Sequence, residues 1–574
     1  MTKPLPRYTA EMFGNPDKEC DIVMKGGITS GVVYPYAILE LARGYRFRSI
    51  GGTSAGAIAA ALAAAAEYAR TVRNDPGGFV RLQARCDTIP EILGDMFQPE
   101  PRFRGLMRYL MRGQASGASA WILGLPFAFP FISLVGSAIG ALTMWLVGGG
   151  IAGAVLGGVV GLVIALVLSL WRLVFHHLPT AGFGLCTGKT VPGNKGLGLT
   201  DWLHESIQEI AFGAEPHDPL TFGDLAGAGS LRPAVDLRMI TTNLSMRRPH
   251  TLPTLGLSGA FSLEEWDKLF PAPVIAFLEA NTKPFARLAD LRGLPSAAQF
   301  PVLVATRMSL SFPLLFAAIP AYVRDLATYA IARSTGTAAA IRKARIWFAD
   351  GGISSNFPIH MFDTLLPSRP TFALSLDDLP DDADMGGERV IIPQRAGQGV
   401  WLPVRPIDDI GAFAGSILGS AKDWQDQLLS TMPGQRERIA RVFLSPDEGG
   451  LNLTMPKKRS AALMQYGLSV GQKFASGALN FDEHRWRRSL VAYDQLEQAV
   501  VGTERVWNAG FRSWFAAYSA NPQTYKAVTK TDRRNIHDRL QAFALLSHLF
   551  QPLVRNKTAK FPKPIGKLRI GPDF

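Results

Sequence analysis

Apolar residues in this chain come in short runs punctuated by glycine, and the first runs alternate with stretches of helical spacing. Asp21-Ile22-Val23-Met24 leads into the loop Lys25-Gly26-Gly27-Ile28-Thr29-Ser30-Gly31, after which Val32 to Ala42 has helical periodicity and stops at Gly44. Tyr45 to Ile50 is a second short run. It delivers Gly51-Gly52-Thr53-Ser54-Ala55-Gly56, and Ala55 to Arg70 continues as a helix of mostly small residues that can lie close on a sheet. Strand, loop and helix in this order predict a parallel βαβ unit. Both glycine loops then leave the same sheet edge, where ligands bind in such folds. Asp236 to Leu244, Val302 to Ala305, Ile346 to Ala349, Thr371 to Leu376 and Arg441 to Leu444 are the further expected strands. Leu263 to Leu294 reads as a mixed, largely helical covering element, and residues 380 to 410, with Gly386, Gly387, Gly397, Gly399 and several prolines, as a long loop.

The rhythm changes after Phe103. Phe103, Leu106, Met107, Leu110 and Met111 share one helical face and Arg104, Arg108 and Arg112 another, a basic amphipathic pattern suited to an anionic membrane surface. From Gly113 to Trp171 there is no Asp, Glu, Lys or Arg. A helix crosses a bilayer with ~20 apolar residues, so this run has room for two. The first is expected from about Phe131 to Val147 and the second from Ile151 to Trp171, with the turn at Gly148-Gly149-Gly150. Arg102, Arg104, Arg108 and Arg112 before the pair and Arg172 after it place both outer ends on the cytoplasmic side, with a bacterial inner membrane as the expected location. Gly149, Gly153, Gly157 and Gly161, with Gly136 and Gly140, form small-residue stripes that allow close approach within the hairpin or between protomers, so a homo-oligomer is one expectation. From Asn480 onward the pattern is helical and basic, including Lys557 and Lys560.

Composition sharpens this. Of 574 residues 47% are hydrophobic and only 19% charged, below the ~25% usual for soluble domains, which fits a membrane-embedded portion. The net charge of +13 calls for an anionic partner. No nucleic-acid motif accompanies it, so membrane lipid is the expected partner. Cys20, Cys86 and Cys186 are far apart and in no metal-ligand spacing, which predicts neither disulfides nor a metal, and no cofactor is expected. Residues 1 to 20 lack the apolar core of a signal peptide. The expected organisation is a catalytic domain in two parts, residues 15–112 and 179–478, interrupted by the helical hairpin at 113–178 and followed by a basic helical region at 479–574.

Gly52-x-Ser54-x-Gly56 is the nucleophile-elbow pattern. A serine on a sharp strand-to-helix turn needs glycines two residues to either side, where a Cβ would collide with its neighbours. Gly26 and Gly27 lie on the loop that can bring its backbone N–H groups toward an oxyanion formed on attack by Ser54. A phosphate or dinucleotide loop would need Gly-x-Gly-x-x-Gly, which this loop lacks. Asp350-Gly351-Gly352 sets a carboxylate at another strand end with glycines clearing space around it. Asp350 can accept the Ser54 proton directly, without a histidine. His360 is the histidine nearest to it in sequence and is expected to point away. A catalytically silent lipid-binding scaffold is the competing reading.

Lys25-Gly-Gly-x-x-x-Gly31 with Tyr34-Pro35, Gly52-Thr-Ser-Ala-Gly56, Arg307-Met-Ser-Leu-Ser-Phe-Pro313 and Asp350-Gly-Gly-Ile-Ser-Ser-Asn356-Phe-Pro358 occur in the order seen in patatin-like phospholipases, which the chain resembles from about residue 20 to about 475. The resemblance implies a three-layer α/β/α fold, with the hairpin inserted and a helical C-terminal extension, and hydrolysis of acyl esters, commonly of membrane lipids. It implies Ser54 as nucleophile, Asp350 as base and the backbone around Gly26, Gly27 and Ile28 as oxyanion hole. The family's loop usually has a third glycine and then a basic residue, where this chain has Ile28 and Ser30.

Overall fold

In the computed structural model the described residues are 4–555, except 28, 116–125, 128, 228–232, 286–287, 338–339, 381–386, 396–397, 400–403, 405, 451, 454 and 522–528. The strands are β1 Lys18–Met24, β2 Tyr45–Gly52, β3 Gly184–Cys186, β4 Asp236–Asn243, β5 Arg248–Leu252, β6 Gly259–Phe261, β7 Pro284–Phe285, β8 Leu288–Gly293, β9 Leu314–Phe316, β10 Ile319–Arg324, β11 Lys343–Asp350, β12 Thr371–Asp378, β13 Val390–Ile391 and β14 Ile439–Leu444; β1, β2, β4, β11, β12 and β14 fall where strands were expected, and the others were not expected. They build one large mixed sheet in the order β13-β14-β12-β1-β2-β4-β11-β10-β6-β8-β7, with β5 also on β4, and a separate β3-β9 pair. At its centre β14, β12, β1, β2 and β4 run parallel, and β11 joins β4 antiparallel. Met24 pairs with Gly52 and Asp350 with Thr241, so the last residues of β1, β2 and β11 meet at one edge.

The helices used below are α1 Tyr34–Gly44, α2 Ala55–Thr71, α3 Gly77–Asp87, α4 Arg104–Ala115, α5 Pro130–Leu146, α6 Gly150–Arg172, α7 Leu199–Phe212, α8 Val302–Ser309, α9 Ile410–Thr431, α10 Lys457–Ala475, α11 Phe481–Val506 and α12 Lys530–Arg555. The small residues of α2 do what their size suggests. Ala57, Ala60, Ala61 and Ala63 to Ala66 have no exposed surface, and the helix packs against β2, α3 and α7. Helix α1 docks on α10, where a Cβ at Gly467 would lie 1.8 Å from the Val33 carbonyl oxygen. Between Asn480 and Arg555 the described residues are largely helical as expected, with α11 packed on α12; Lys557 and Lys560 lie outside the described residues.

Three expectations are corrected. Val302 to Ala305 opens α8 instead of a strand: every residue from Val302 to Ser309 is buried, so the run shows no helical alternation. Leu263 to Leu294 holds short helices at Leu263–Asp267 and Ala272–Asn281 but ends in β7 and β8. The apolar face of α4 is not left for a membrane, since Phe103 and Met107 are buried and Leu106 and Leu110 pack against the core, leaving Arg104 and Arg108 outside.

The expected membrane hairpin is met in part. Helix α6, with its continuation to Thr180, is long and apolar enough to cross a membrane, and it is the one helix among the described residues that is. Helix α5 has 17 residues, about 25 Å at 1.5 Å per residue, short of a ~30 Å hydrocarbon core. The two pack on each other through the glycine stripes. A Cβ at Gly140 would lie 2.0 Å from the Gly157 carbonyl oxygen, and one at Gly161 2.2 Å from that of Gly136. These glycines therefore serve contact within the chain.

Candidate active site

The turn after β2 brings Ser54 to the sheet edge at φ 53° and ψ −126°, a region that costs a non-glycine residue about 1–3 kcal/mol. The flanking glycines make this turn possible. A Cβ at Gly52 would lie 2.2 Å from the Gly56 carbonyl oxygen, and one at Gly56 would lie 2.4 Å from that of Met24. Gly56→Ala is therefore expected to misfold the elbow; expression as insoluble protein, or a melting temperature lowered by 10 °C or more, is the checking measurement, since clashes with backbone have no flexible partner to absorb them.

Asp350 ends β11 beside this turn. Its backbone N–H donates to the Ser311 carbonyl at 3.0 Å and its own carbonyl accepts from Thr242 Oγ1 at 2.9 Å. Oδ1 accepts from the Gly352 N–H at 2.7 Å. Oδ2 is buried and, among the described residues, has no hydrogen-bond partner. Burial pushes the carboxyl up to about 6, against the lowering effects of the Ser54 hydroxyl, the Gly352 N–H and Lys422. The hydroxyl of Ser54 thus lies close enough to favour the carboxylate, although in this rotamer it donates to the Gly27 carbonyl at 3.0 Å. Rotation about the Cβ–Oγ bond would turn that proton from Gly27 toward the carboxylate. Gly351 is required by close approach, because a Cβ there would lie 2.0 Å from the Ile240 carbonyl oxygen.

The glycine loop lies against the elbow, with one difference from expectation. The Gly26 N–H is directed away from Ser54 and donates to the Asn356 carbonyl at 2.7 Å. The Gly27 carbonyl accepts from both the Ser54 hydroxyl and the Ala55 N–H. In this state it is the Gly27 carbonyl that takes the hydroxyl of the nucleophile. Ile28 lies outside the described residues.

Two braces hold the motifs, one ion-paired and one built on hydrogen bonds to neutral acceptors. Lys25 Nζ and Arg441 hold the two oxygens of Asp377 at 2.7 and 2.9 Å. Burial alone would raise that carboxyl, but the two cations keep it well below the usual carboxylate range. Arg307, from the third motif, has no exposed surface and donates to Ser311 Oγ at 2.6 Å, the Thr187 carbonyl at 2.9 Å and Thr200 Oγ1 at 3.1 Å. It fixes the residue that receives the Asp350 N–H.

An apolar cavity of ≈ 90 Å³ opens beside Ser54. Ile58, Ala59 and Leu62 line it along α2, facing Trp202 and Phe312. Ser54 and Leu62 are eight residues apart, so the lined path along α2 runs about 12 Å. No histidine donates to or accepts from Ser54 or Asp350 among the described residues, and none there gathers three or more His, Cys, Asp or Glu side chains as a metal site.

Asn356 and Asp426 were not legible as site residues. Asn356 stood in the fourth motif without a role, and Asp426 lies in a helix whose sequence carries no motif at all.

The chain is similar to several known proteins. A family described as patatin-like phospholipase matches residues 22–111. A protein of Rhizobium meliloti (strain 1021) described as "RpoH suppressor" is 34% identical over 643 residues, covering 98% of this chain and 100% of that protein. Among solved structures, VipD from Legionella pneumophila is 12% identical with a TM-score of 0.27, over 95% of this chain and 87% of its own. The ExoU–SpcU complex of Pseudomonas aeruginosa gives 15% identity and a TM-score of 0.24, over 96% of this chain and 74% of that one.

Proposed function

Because the chain belongs to the patatin-like phospholipase family, we propose that it is a serine acyl hydrolase that cleaves fatty-acyl esters of membrane lipids through a Ser54–Asp350 dyad. The observation that carries this reading is an elbow serine lining an apolar cavity, with a buried, half-satisfied carboxylate close enough for the Ser54 hydroxyl to favour its charged form. The acyl chain lies along α2 and its ester carbonyl reaches Ser54. Asp350 Oδ2 takes the hydroxyl proton as Oγ bonds to the carbonyl carbon, and the carbonyl π pair moves to oxygen. Collapse of the tetrahedral anion breaks the bond to the alcohol, which leaves with the proton from Asp350. Water then attacks the acyl-enzyme by the same route, giving up its proton to Asp350 and restoring Ser54. The anion needs N–H donors. With Gly26 engaged at Asn356, these are the N–H groups of Gly27 and Ile28, joined by that of Ala55 once the Gly27 carbonyl withdraws.

The membrane reading rests on exposed apolar surface. Ile151, Val155, Val163 and Leu168 of α6 are each more than half exposed. A single crossing by α6 would separate β2 from β4, which are paired, so α6 enters with α5 from one face and both ends stay on the same side. Helix α9 adds Ile410, Phe413, Ile417, Trp424 and Leu428, all exposed and within about 60° on a helical wheel. Flotation with anionic vesicles is expected to carry the protein up the gradient, and a variant with Ile417 and Trp424 both changed to Asp is expected to float several-fold less while keeping its melting temperature.

The function itself is tested by incubating the purified protein with phospholipid vesicles, extracting the lipids and identifying released fatty acid, in parallel with labelling by a serine-reactive fluorophosphonate. Release and labelling together support the hydrolase. Vesicle binding without either would leave a lipid-binding scaffold.

A further inference from the structure

Three separate motifs converge on one backbone carbonyl. The Asn356 oxygen accepts from the Gly26 N–H of the glycine loop at 2.7 Å and from Thr53 Oγ1 of the elbow at 2.9 Å. Asn356 lies six residues after Asp350, at the end of the turn that begins with the base. Its side chain sits between the two glycine loops: a Cβ at Gly26 would lie 2.2 Å from Asn356 Oδ1, and one at Gly352 would lie 2.8 Å from the same atom. A carbonyl can hold two partners in register only if its own peptide is fixed.

What fixes it comes from far along the chain. Asp426 of α9 is 5% exposed, and its Oδ2 accepts the Phe357 N–H at 2.7 Å, the N–H of the same peptide whose carbonyl is that of Asn356. Its Oδ1 accepts from Ser355 Oγ at 3.4 Å. One planar peptide is therefore gripped at both ends, by a carboxylate on its N–H and by the glycine loop and elbow on its oxygen. Burying a carboxylate is costly unless it is fully used, and this one contacts neither the nucleophile nor the cavity lining.

We propose that Asp426 is a positioning residue: through the Asn356–Phe357 peptide it holds the glycine loop and the nucleophile elbow in register with Asp350. This rests on the hydrolase reading for its effect on turnover and on geometry alone for its effect on the loop. A misplacement of about 1 Å at a reacting group can cost 10²-fold. Asp426→Ala is therefore expected to lower kcat on a soluble short-chain ester by about 10- to 100-fold with KM changed less than about 3-fold, and to slow fluorophosphonate labelling in parallel. Asp426→Asn keeps an acceptor for the Phe357 N–H and is expected to restore most of the rate. Thr53→Val removes the opposite end of the clamp without touching α9. It should show the same split between kcat and KM, and combined with Asp426→Ala the losses should be less than multiplicative.

Amide hydrogen exchange supplies a readout that does not depend on activity. In Asp426→Ala the Gly26 N–H should exchange at least tenfold faster while β11 stays protected. Unchanged kcat together with unchanged exchange at Gly26 would overturn the proposal, as would a loss shared evenly by kcat, KM and melting temperature in all three variants. If wild type neither labels nor turns over ester, the hydrolase reading fails, and exchange at Gly26 still decides for or against the clamp.

Discussion

Ser54→Ala is expected to lose at least roughly 10⁴-fold in ester turnover, the scale seen when the nucleophile of a coupled catalytic group is removed, and all fluorophosphonate labelling. The fold should remain, because the strained φ of 53° is imposed by the flanking glycines and the start of α2, not by the hydroxyl. The change removes one hydrogen bond, to the Gly27 carbonyl, which the Ala55 N–H continues to hold. It also removes a group that lowers the Asp350 pKa, so the carboxyl should titrate higher in this variant than in wild type. Turnover, labelling and circular dichroism on one preparation are the measurements. Wild-type turnover by Ser54→Ala would end the assignment of the nucleophile.

The second large effect is at Asp350. Asp350→Asn keeps the shape of the side chain but cannot take the Ser54 proton, and a loss of about 10³- to 10⁴-fold is expected, as for amide replacement of a catalytic aspartate elsewhere. In wild type the base must be ionised, so kcat/KM should rise with pH through about 6, where burial holds this carboxyl, and level off above it. Stability moves the other way. The folded-state pKa is raised above the unfolded value of about 3.9, so below pH ~4 both states are protonated and burial costs nothing. As pH rises from about 4 to about 6 the unfolded chain ionises first, and folding loses on the order of 2–3 kcal/mol. Asp350→Asn removes that cost. It should melt higher than wild type at pH 8, with the gap closing toward pH 4. A scan of melting temperature against pH for both proteins checks the sign, and a lower melting point for the variant at pH 8 would contradict the buried-carboxylate account.

Elements whose signal is local were legible in residue order. Glycine at 52, 56 and 351 marks places where a Cβ would strike backbone, a demand that any chain with this turn must meet, so the elbow and the base turn could be read from residue order. The small residues of Ala55 to Arg70 announced a helix laid tight on a sheet, and the charge-free stretch announced α5 and α6. Local pattern failed where burial is complete, since Val302 to Ser309 has no polar side to give it a period, and where an apolar face had two possible destinations, as on α4. It took the packed molecule to reveal that this face meets the core, that the Gly26 N–H donates to the Asn356 carbonyl, and that Asp426 reaches the base turn across 69 residues of chain. A hydrogen bond between distant segments leaves no period or spacing in either of them, because it depends on where two independently folded pieces come to lie.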